Sequence, residues 1–566
     1  MSEYKKLKQR LSDEKLRQEA PEWMHTTGYQ ILRQKHYIDD DETPTSRLKF
    51  IADYLSDYIP EELRAKAKTK FRHLLLSGKY SLSTPAFSNI GKPYKGMPIS
   101  CSGGYVDDSI HSFYTSNTEI AMLSKNGFGT SAYLGDIRPR GSKISGGGES
   151  SGIVPVMDTF FDTSSKVSQG GVRRGAVACY FPIDHPDAKE VFHYVEKNQK
   201  GSNIGVNITD NFIKRYNSAD PEAKELFQDL CFSRCIGKGY MHFIDRANKT
   251  LHPAFKRKGM TIKGSNLCSE IELPSDNEYS FTCCLSSLNL LHWDNITEED
   301  IMYSLLMLDC INTDFIKHCP DELHKVKKFA EDFRAIGLGV MGLGTYFQNS
   351  GIVFDSLTAK FKNQEIFRKL SIVAKEANLW MGDLLGVPPS LQEEGIRNVT
   401  QFAIAPTLST AVVMGGVSQG QEPIFANTYI HESPAGDIRR ASPWLVDLLK
   451  SKGKWDKEVL DSIVDTEGSL AHLDFLTDEE KALGKTAYEQ DQYAIIRMAE
   501  DRARYIDQGQ SVNLYFNALA TEKEIGDIHR YAMTECNDLK ALYYIRSMSL
   551  ENSKIKHEPD CASCAS

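Results

Sequence analysis

The stretch Ser265-Asn-Leu-Cys-Ser-Glu-Ile-Glu-Leu-Pro274 decides how this chain is read. Its alternation and closing proline predict an extended segment, in which side chains two residues apart share a face. Asn266, Cys268 and Glu270 then point into one cavity. Taken alone, a buried cysteine is usually a small hydrophobe. A carboxylate beside it changes that reading, because a buried charge is costly unless a polar ligand meets it. An amide, a thiol and a carboxylate on one face therefore predict a site.

Outward from this stretch the composition is that of a globular protein. The 566 residues are 41% hydrophobic and 25% charged, which excludes disorder, collagen and coiled coil. Lys and Arg number 67 against 76 Asp and Glu, a net charge of −9, and no basic block exceeds Lys256-Arg257-Lys258. A nucleic-acid footprint is missing. Residues 1–10 are polar and basic, and no run reaches the ~18 apolar residues of a membrane span. A cytoplasmic protein is expected, with its twelve cysteines as thiols, metal ligands or redox catalysts.

Helical spacing of Leu48, Ile51, Ala52 and Leu55, and the helix start Pro60-Glu61-Glu62, predict an N-terminal helical cap over residues 44–80. From residue 84 to about 205, short apolar runs are broken by Gly and Ser, as in 141–148 and 168–175, loops that suit close backbone approach to a ligand. Strand-like runs at 282–291 and 401–405 alternate with a helical run at 366–380, which argues for α/β architecture with parallel strands. Gly337-Leu-Gly-Val-Met-Gly342 matches a dinucleotide fingerprint, but Glu331-Asp-Phe-Arg334 before it is no buried strand. Its glycines are read as permitting close packing.

The remaining chemistry lies in thiols and phenols. Cys283-Cys284 follows the first stretch, Cys101 closes Met97-Pro-Ile-Ser-Cys101, and the tail carries Asp560-Cys-Ala-Ser-Cys564. Structural zinc takes paired CxxC knuckles, and only the tail pair has that spacing. A dithiol near a reactive thiol, with a second dithiol able to exchange with it, is a two-electron relay. Ala541-Leu-Tyr-Tyr-Ile-Arg546 holds adjacent phenols that suit either packing or single-electron transfer, and the residues alone leave both open.

These motifs, in this order, resemble the catalytic large subunit of class I ribonucleotide reductases from about Leu48 onward. The resemblance implies a ten-stranded α/β barrel with a finger loop carrying the radical cysteine. A helical region at 1–82 without an ATP-cone would precede a barrel at 83–550, followed by a flexible tail at 551–566. It implies that Cys268 becomes a thiyl radical beside Asn266 and Glu270. Cys101 and Cys283, with Cys284 as the less favoured partner, form the reducing dithiol; Tyr543 and Tyr544 transfer the radical; Cys561 and Cys564 shuttle electrons. Thr84, Ser100 and the loop Pro406, Thr407, Leu408, Ser409 and Thr410 would hold substrate. Asp108, Ser109, Ile110, Arg138 and Ser168 would hold an effector, with Gln169 and Arg173 on its base.

The implied activity is reduction of ribonucleoside diphosphates to 2′-deoxyribonucleotides for DNA synthesis. The implied partners are a radical-generating small subunit, thioredoxin or glutaredoxin, dNTP or ATP effectors and a second copy of the chain; no metal or cofactor is expected on this chain. A cobalamin-dependent reductase of the same superfamily would not need Tyr543 and Tyr544. A glycyl-radical enzyme would need a C-terminal glycine motif in place of Cys-Ala-Ser-Cys-Ala-Ser. A nucleotide-sensing or zinc-binding protein without turnover is the alternative from another class.

Overall fold

Strand Phe281–Asn289 is buried at all nine positions, which requires cover on both of its faces. The computed structural model describes residues 13–169, 173–198, 202–431 and 438–547. Its strands run in chain order as β1 (Tyr80–Leu82), β2 (Cys101–Tyr105), β3 (Gly129–Tyr133), β4 (Ser168–Gln169), β5 (Arg173–Arg174), β6 (Ala176–Pro182), β7 (Asn203–Ile208) and β8 (Tyr240–Phe243). They continue as β9 (Phe281–Asn289), β10 (Ile336–Met341), β11 (Thr428–His431), β12 (Ile438–Ala441), β13 (Leu514–Phe516), β14 (Ala541–Leu542) and β15 (Ile545–Ser547).

Neighbours β2, β3, β6, β7 and β8 are parallel throughout. At one end of this set β2 meets β9 antiparallel, and at the other β8 meets β14 antiparallel. A second parallel set closes the gap. β9 pairs with β10, and Leu338 of β10 bridges to Phe402. Ile404 in turn bridges to Gln510, and the parallel β13–β15 pair extends the contact from 510 onward. Leu514 N–H donates to Tyr544 O at 2.9 Å and Tyr543 N–H to Val512 O at 2.8 Å, so β14 runs on into this pairing. Two five-stranded halves thus form one ring of ten, the predicted barrel. Segments 400–405 and 508–513 join it through single bridges, with β1 an outer addition on β9.

The fingerprint-like glycines lie in this wall. A Cβ on Gly337 would meet Leu285 Cδ2 at 2.6 Å and Ala403 Cβ at 2.8 Å, and one on Gly339 would meet Ala403 O at 2.8 Å. They are spacers, as read from the sequence.

The N-terminal helices pack on the outside. Pro44–Ser56 starts with a Thr43/Ser46 capping box and buries Leu48, Ile51, Ala52 and Leu55, the stripe the sequence predicts. Arg47, fully buried, donates to the carbonyls of Phe87, Ser88 and Ile90, tying this helix to Thr84–Asn89. Tyr54 and Tyr58 both donate to Asp314 at 2.9 Å, within the long buried helix Glu298–His318. No helix among the described residues is long and apolar enough to cross a membrane.

Candidate active site

The decisive stretch lies inside the ring, held from both halves. Tyr180 on β6 donates to Asn266 O at 2.7 Å, and Asn207 on β7 to Lys263 O at 2.5 Å. From the other half, Gly509 N–H donates to Glu270 O at 2.8 Å and Ser511 Oγ to Cys268 O at 2.5 Å. The extended conformation expected for residues 265–274 is not what forms. Ser269 has φ +63° and its N–H reaches Asn266 O at 3.3 Å, closing a turn. A left-handed non-glycine residue costs about 1–2 kcal/mol. Asn266 Oδ1 offsets that cost by accepting from the N–H groups of Glu270 (3.0 Å) and Ile271 (3.2 Å). Asn266, Cys268 and Glu270 are therefore grouped by a turn and not by a shared strand face.

Asn266 Nδ2 is buried and makes no hydrogen bond among the described residues. A donor left so costs about 1–3 kcal/mol, recoverable by a ligand oxygen. Glu270, 1% exposed, has Ser511 Oγ 3.1 Å from its Oε2. The loop thus groups an amide donor, a carboxylate and a thiol, all buried.

Tyr543 Oη donates to Cys268 Sγ at 3.4 Å. Its ring lies 4.2 Å from that of Tyr544, centroid to centroid, at 46°. Both phenols are buried, and the Arg546 guanidinium carbon stands 5.1 Å over the Tyr544 ring. The open choice between packing and electron transfer now has a geometry: two phenols in contact, the inner one bonded to a thiol.

On the opposite seam, Cys101 and Cys283 are register partners across β2 and β9, both thiols. Cys283 packs in the inner cluster with Cys101, whereas Cys284 packs in the outer core. Alternation along β9 settles which thiol faces Cys101. Burial pushes the Cys283 thiol well above its usual range, opposed by the Gln508 amide, whose Nε2 lies 3.3 Å from the sulfur. A thiol so held is protonated at neutral pH and can donate a proton. Ser100 Oγ lies 3.7 Å from Cys101 Sγ.

Thr407 has φ +54° and begins the helix Leu408–Val413; its Oγ1 accepts from Gly420 N–H at 2.8 Å. Thr410 lines a small cavity together with Thr84, Ser81 and Met414, which joins two of the predicted substrate segments. Pro406 and Ser409 stand on the same loop and helix start.

The predicted effector residues cluster less completely. Asp108 and Arg138 form an ion pair at 2.5 Å. Ser109 caps the helix Ile110–Lys125 by accepting from Ser112 N–H, and Ile110 is 70% exposed. Gln169 is turned inward, donating to Lys95 O at 2.7 Å, with its amide against the glycine positions 96 and 127. Ser168 pairs with Arg174 where β4 and β5 run antiparallel; the side chain of Arg173, like Cys561 and Cys564, lies outside the described residues.

Sequence reading missed Gln508 and Ser511. Their stretch, Asp507-Gln-Gly-Gln-Ser511, is polar and glycine-containing and reads as a loop, yet Gln508 and Ser511 are 1% exposed. The buried amide of Gln508 also donates to Ile336 O and Thr400 Oγ1. Among the described residues no group of His, Cys, Asp and Glu could hold a metal.

A closed barrel built around a thiol loop and a facing dithiol defines an oxidoreductase of thiol chemistry. The family model described as ribonucleotide reductase, barrel domain, matches residues 99–222, 219–389 and 383–545. The chain belongs to the ribonucleotide reductase family. A ribonucleoside-diphosphate reductase large subunit of Invertebrate iridescent virus 3 is 29% identical over 630 residues, spanning 95% of this chain and 97% of its own length. A Frog virus 3 (isolate Goorha) protein carrying the same name provisionally is 35% identical over 504 residues, 84% of this chain and 87% of its own. The solved class Id ribonucleotide reductase alpha subunit of Actinobacillus ureae is 36% identical, with a TM-score of 0.85 over 93% of this chain and 98% of that one.

Proposed function

We propose that this chain is the catalytic subunit that reduces ribonucleoside diphosphates to 2′-deoxyribonucleoside diphosphates through a thiyl radical on Cys268. The observation that carries the reading is the contact of Tyr543 Oη with Cys268 Sγ at 3.4 Å, backed by Tyr544. A phenoxyl at Tyr543 takes the hydrogen atom of the Cys268 S–H, restoring the phenol and leaving a thiyl. The thiyl abstracts a hydrogen atom from a ribose carbon. Glu270 is the general base on the neighbouring hydroxyl as the 2′-hydroxyl leaves as water with a proton from the Cys101/Cys283 pair. Cys101 and Cys283 supply two electrons and end as a disulfide, and Cys268 returns its hydrogen to the sugar, becoming a thiyl again. Asn266 Nδ2 donates to a substrate oxygen.

In this reading the radical comes from a separate small subunit, through Tyr544. Residues 406–410 with Thr84 and Ser100 hold the substrate, its diphosphate on the loop hydroxyls and amides. Cys561 and Cys564 pass electrons from thioredoxin or glutaredoxin to the Cys101–Cys283 disulfide. A deoxynucleotide at Asp108, Ser109, Ile110 and Arg138 acts through residues 168–175, Gln169 and Arg173 included, and favours a dimer. The chain works in the cytoplasm, divided as 1–82, 83–550 and 551–566. The purified chain, a small subunit, thioredoxin and a labelled ribonucleoside diphosphate test this together: deoxynucleotide accumulates over many turnovers only with all components present, and without thioredoxin it stops at about one per prereduced chain. Binding without turnover under those conditions would leave a nucleotide-sensing protein.

A further inference from the structure

We infer that Tyr240 is a positioning residue of the radical-transfer site, whose hydroxyl holds the phenolic oxygen of Tyr544 in both redox states of that ring. The inference rests on the reading of Tyr543 and Tyr544 as carriers. Tyr240 opens β8, and β14 pairs with β8 through Leu542 opposite Met241 and Ala541 opposite His242. One step further along that register sets Tyr543 opposite Tyr240. The Tyr240 ring lies 5.0 Å from Tyr543 and 5.3 Å from Tyr544, edge-on to the latter at 79°. The oxygens of Tyr240 and Tyr544 are 3.1 Å apart.

Three facts separate this from ordinary aromatic filling. First, Tyr240 is 1% exposed, so its hydroxyl is removed from bulk water and is directed at the outer carrier. Second, the placement is anchored. Arg234, fully buried, donates to Gly239 O at 2.8 Å, to Leu542 O at 3.2 Å and to Tyr543 O at 2.8 Å. One guanidinium therefore fixes the backbone leading into Tyr240 and the backbone carrying the two phenols. Third, the bond has one direction in the oxidised state. Asn203 Oδ1, 3.5 Å from Tyr544 Oη, only accepts. Once Tyr544 has given up its electron and proton to the incoming radical, its oxygen only accepts too. The 3.1 Å contact then survives with Tyr240 as donor. Tyr240 keeps its own electron and proton throughout, and its bond lowers the energy of the oxidised carrier.

The test uses the whole chain with its small subunit and Tyr240→Phe, which keeps the ring and removes the hydroxyl. Melting temperature and nucleotide binding stay near those of the unaltered chain, KM is unchanged, and turnover falls about tenfold, as expected for loss of one hydrogen bond from a rate-limiting state. A radical parked at position 544 on 3-aminotyrosine, which is easier to oxidise, gives an EPR spectrum with wider g-anisotropy in the Tyr240→Phe background, because a donor to the oxygen is gone. Identical spectra and turnover with and without the Tyr240 hydroxyl overturn the inference. If Tyr240→Phe fails to fold, a fluorinated tyrosine at 240 keeps the shape and acidifies the hydroxyl. Turnover then gains a new fall with rising pH where that phenol ionises, and an unchanged pH profile overturns the inference. Tyr543→Phe and Tyr544→Phe run alongside. If these are fully active the carrier reading itself fails; if they are inactive and Tyr240→Phe is silent, only the role of Tyr240 does.

Discussion

Cys101 and Cys283 sit opposite each other on the antiparallel seam between β2 and β9, while Cys284, one residue on, faces the outer core beside Tyr80 and Cys310. Directly opposed residues of an antiparallel pair lie roughly 4.5–5.5 Å apart at Cα, inside the range of about 4.4–6.8 Å that a disulfide spans. The pair can close without moving either strand. After a single turnover, alkylation and peptide mapping should find Cys101 joined to Cys283 and Cys284 as a thiol. Cys284→Ser should keep multiple turnover at a stability cost of about 1–3 kcal/mol for a buried hydroxyl, whereas Cys283→Ser should make no deoxynucleotide. The reverse pattern would move the dithiol to Cys284.

Cys268→Ala should fold and bind substrate with near-normal affinity. The side chain is small, and the loop around it is held by backbone and neighbouring groups, namely Asn266 Oδ1, Tyr180 and Ser511. Product formation should vanish, since the thiol that meets Tyr543 Oη at 3.4 Å is gone. Measurable deoxynucleotide from this variant ends the thiyl assignment.

His529 contributes to the pH dependence of stability. It is buried, accepts at Nε2 from Arg234 Nε at 2.7 Å and donates at Nδ1 to Ile525 O at 2.7 Å. Burial, and then the charge of Arg234, lower its pKa from 6.5 to about 3. The unfolded chain therefore binds a proton below pH 6.5 that the folded chain refuses until about pH 3. Stability contributed by this group is complete above pH 6.5 and falls by about 1.4 kcal/mol per pH unit on acidification through that window. Urea midpoints measured from pH 7 to pH 4 should drop less steeply in His529→Gln than in the unaltered chain. Parallel slopes would show that the imidazole is not held neutral.

Asp108 and Arg138 hold each other in the structure, and an effector bound as proposed would compete for this ion pair. With Arg138→Ala, affinity for a deoxynucleoside triphosphate should fall about tenfold or more, the worth of a charge-assisted bond to phosphate. The ratio of products from mixed substrates should no longer respond to the effector, while basal turnover stays. Equilibrium binding and product analysis check both; an unchanged response places the effector elsewhere.

Much of the site was legible because its residues carry unusual chemistry at short spacing: Cys268 with its neighbours, the two tyrosines, and Cys101. Of the strands carrying the two seam residues, β9 follows from the strand-like run at 282–291, whereas β2, Cys-Ser-Gly-Gly-Tyr, has no apolar run to announce it. What sequence could not show is set by long-range geometry. The 265–274 stretch alternates like a strand, yet it is threaded through a barrel, where Asn266 caps a turn that local pattern does not announce. The run at 401–405 reads as strand-like and joins the ring through single bridges, whereas 508–513 lacks the alternation of a two-faced strand, so Gln508 and Ser511 read as loop. Tyr240 carries no local signal, because its partner Tyr544 lies 304 residues away.

The two antiparallel seams stand five strands apart in a ring of ten, hence across its diameter. One seam carries the phenols and the other the dithiol. A sulfur radical is quenched by any thiol that reaches it, so an enzyme holding both must keep them insulated until a sugar lies between. In the proposed reading the barrel does this by circumference, with one-electron equivalents arriving on one side and two-electron equivalents on the other. The loop bearing Cys268 hangs in the middle, where substrate completes the circuit. An empty barrel is then a protected one, and the reversal of chain direction at β2/β9 and β8/β14 acts as the partition between two kinds of current.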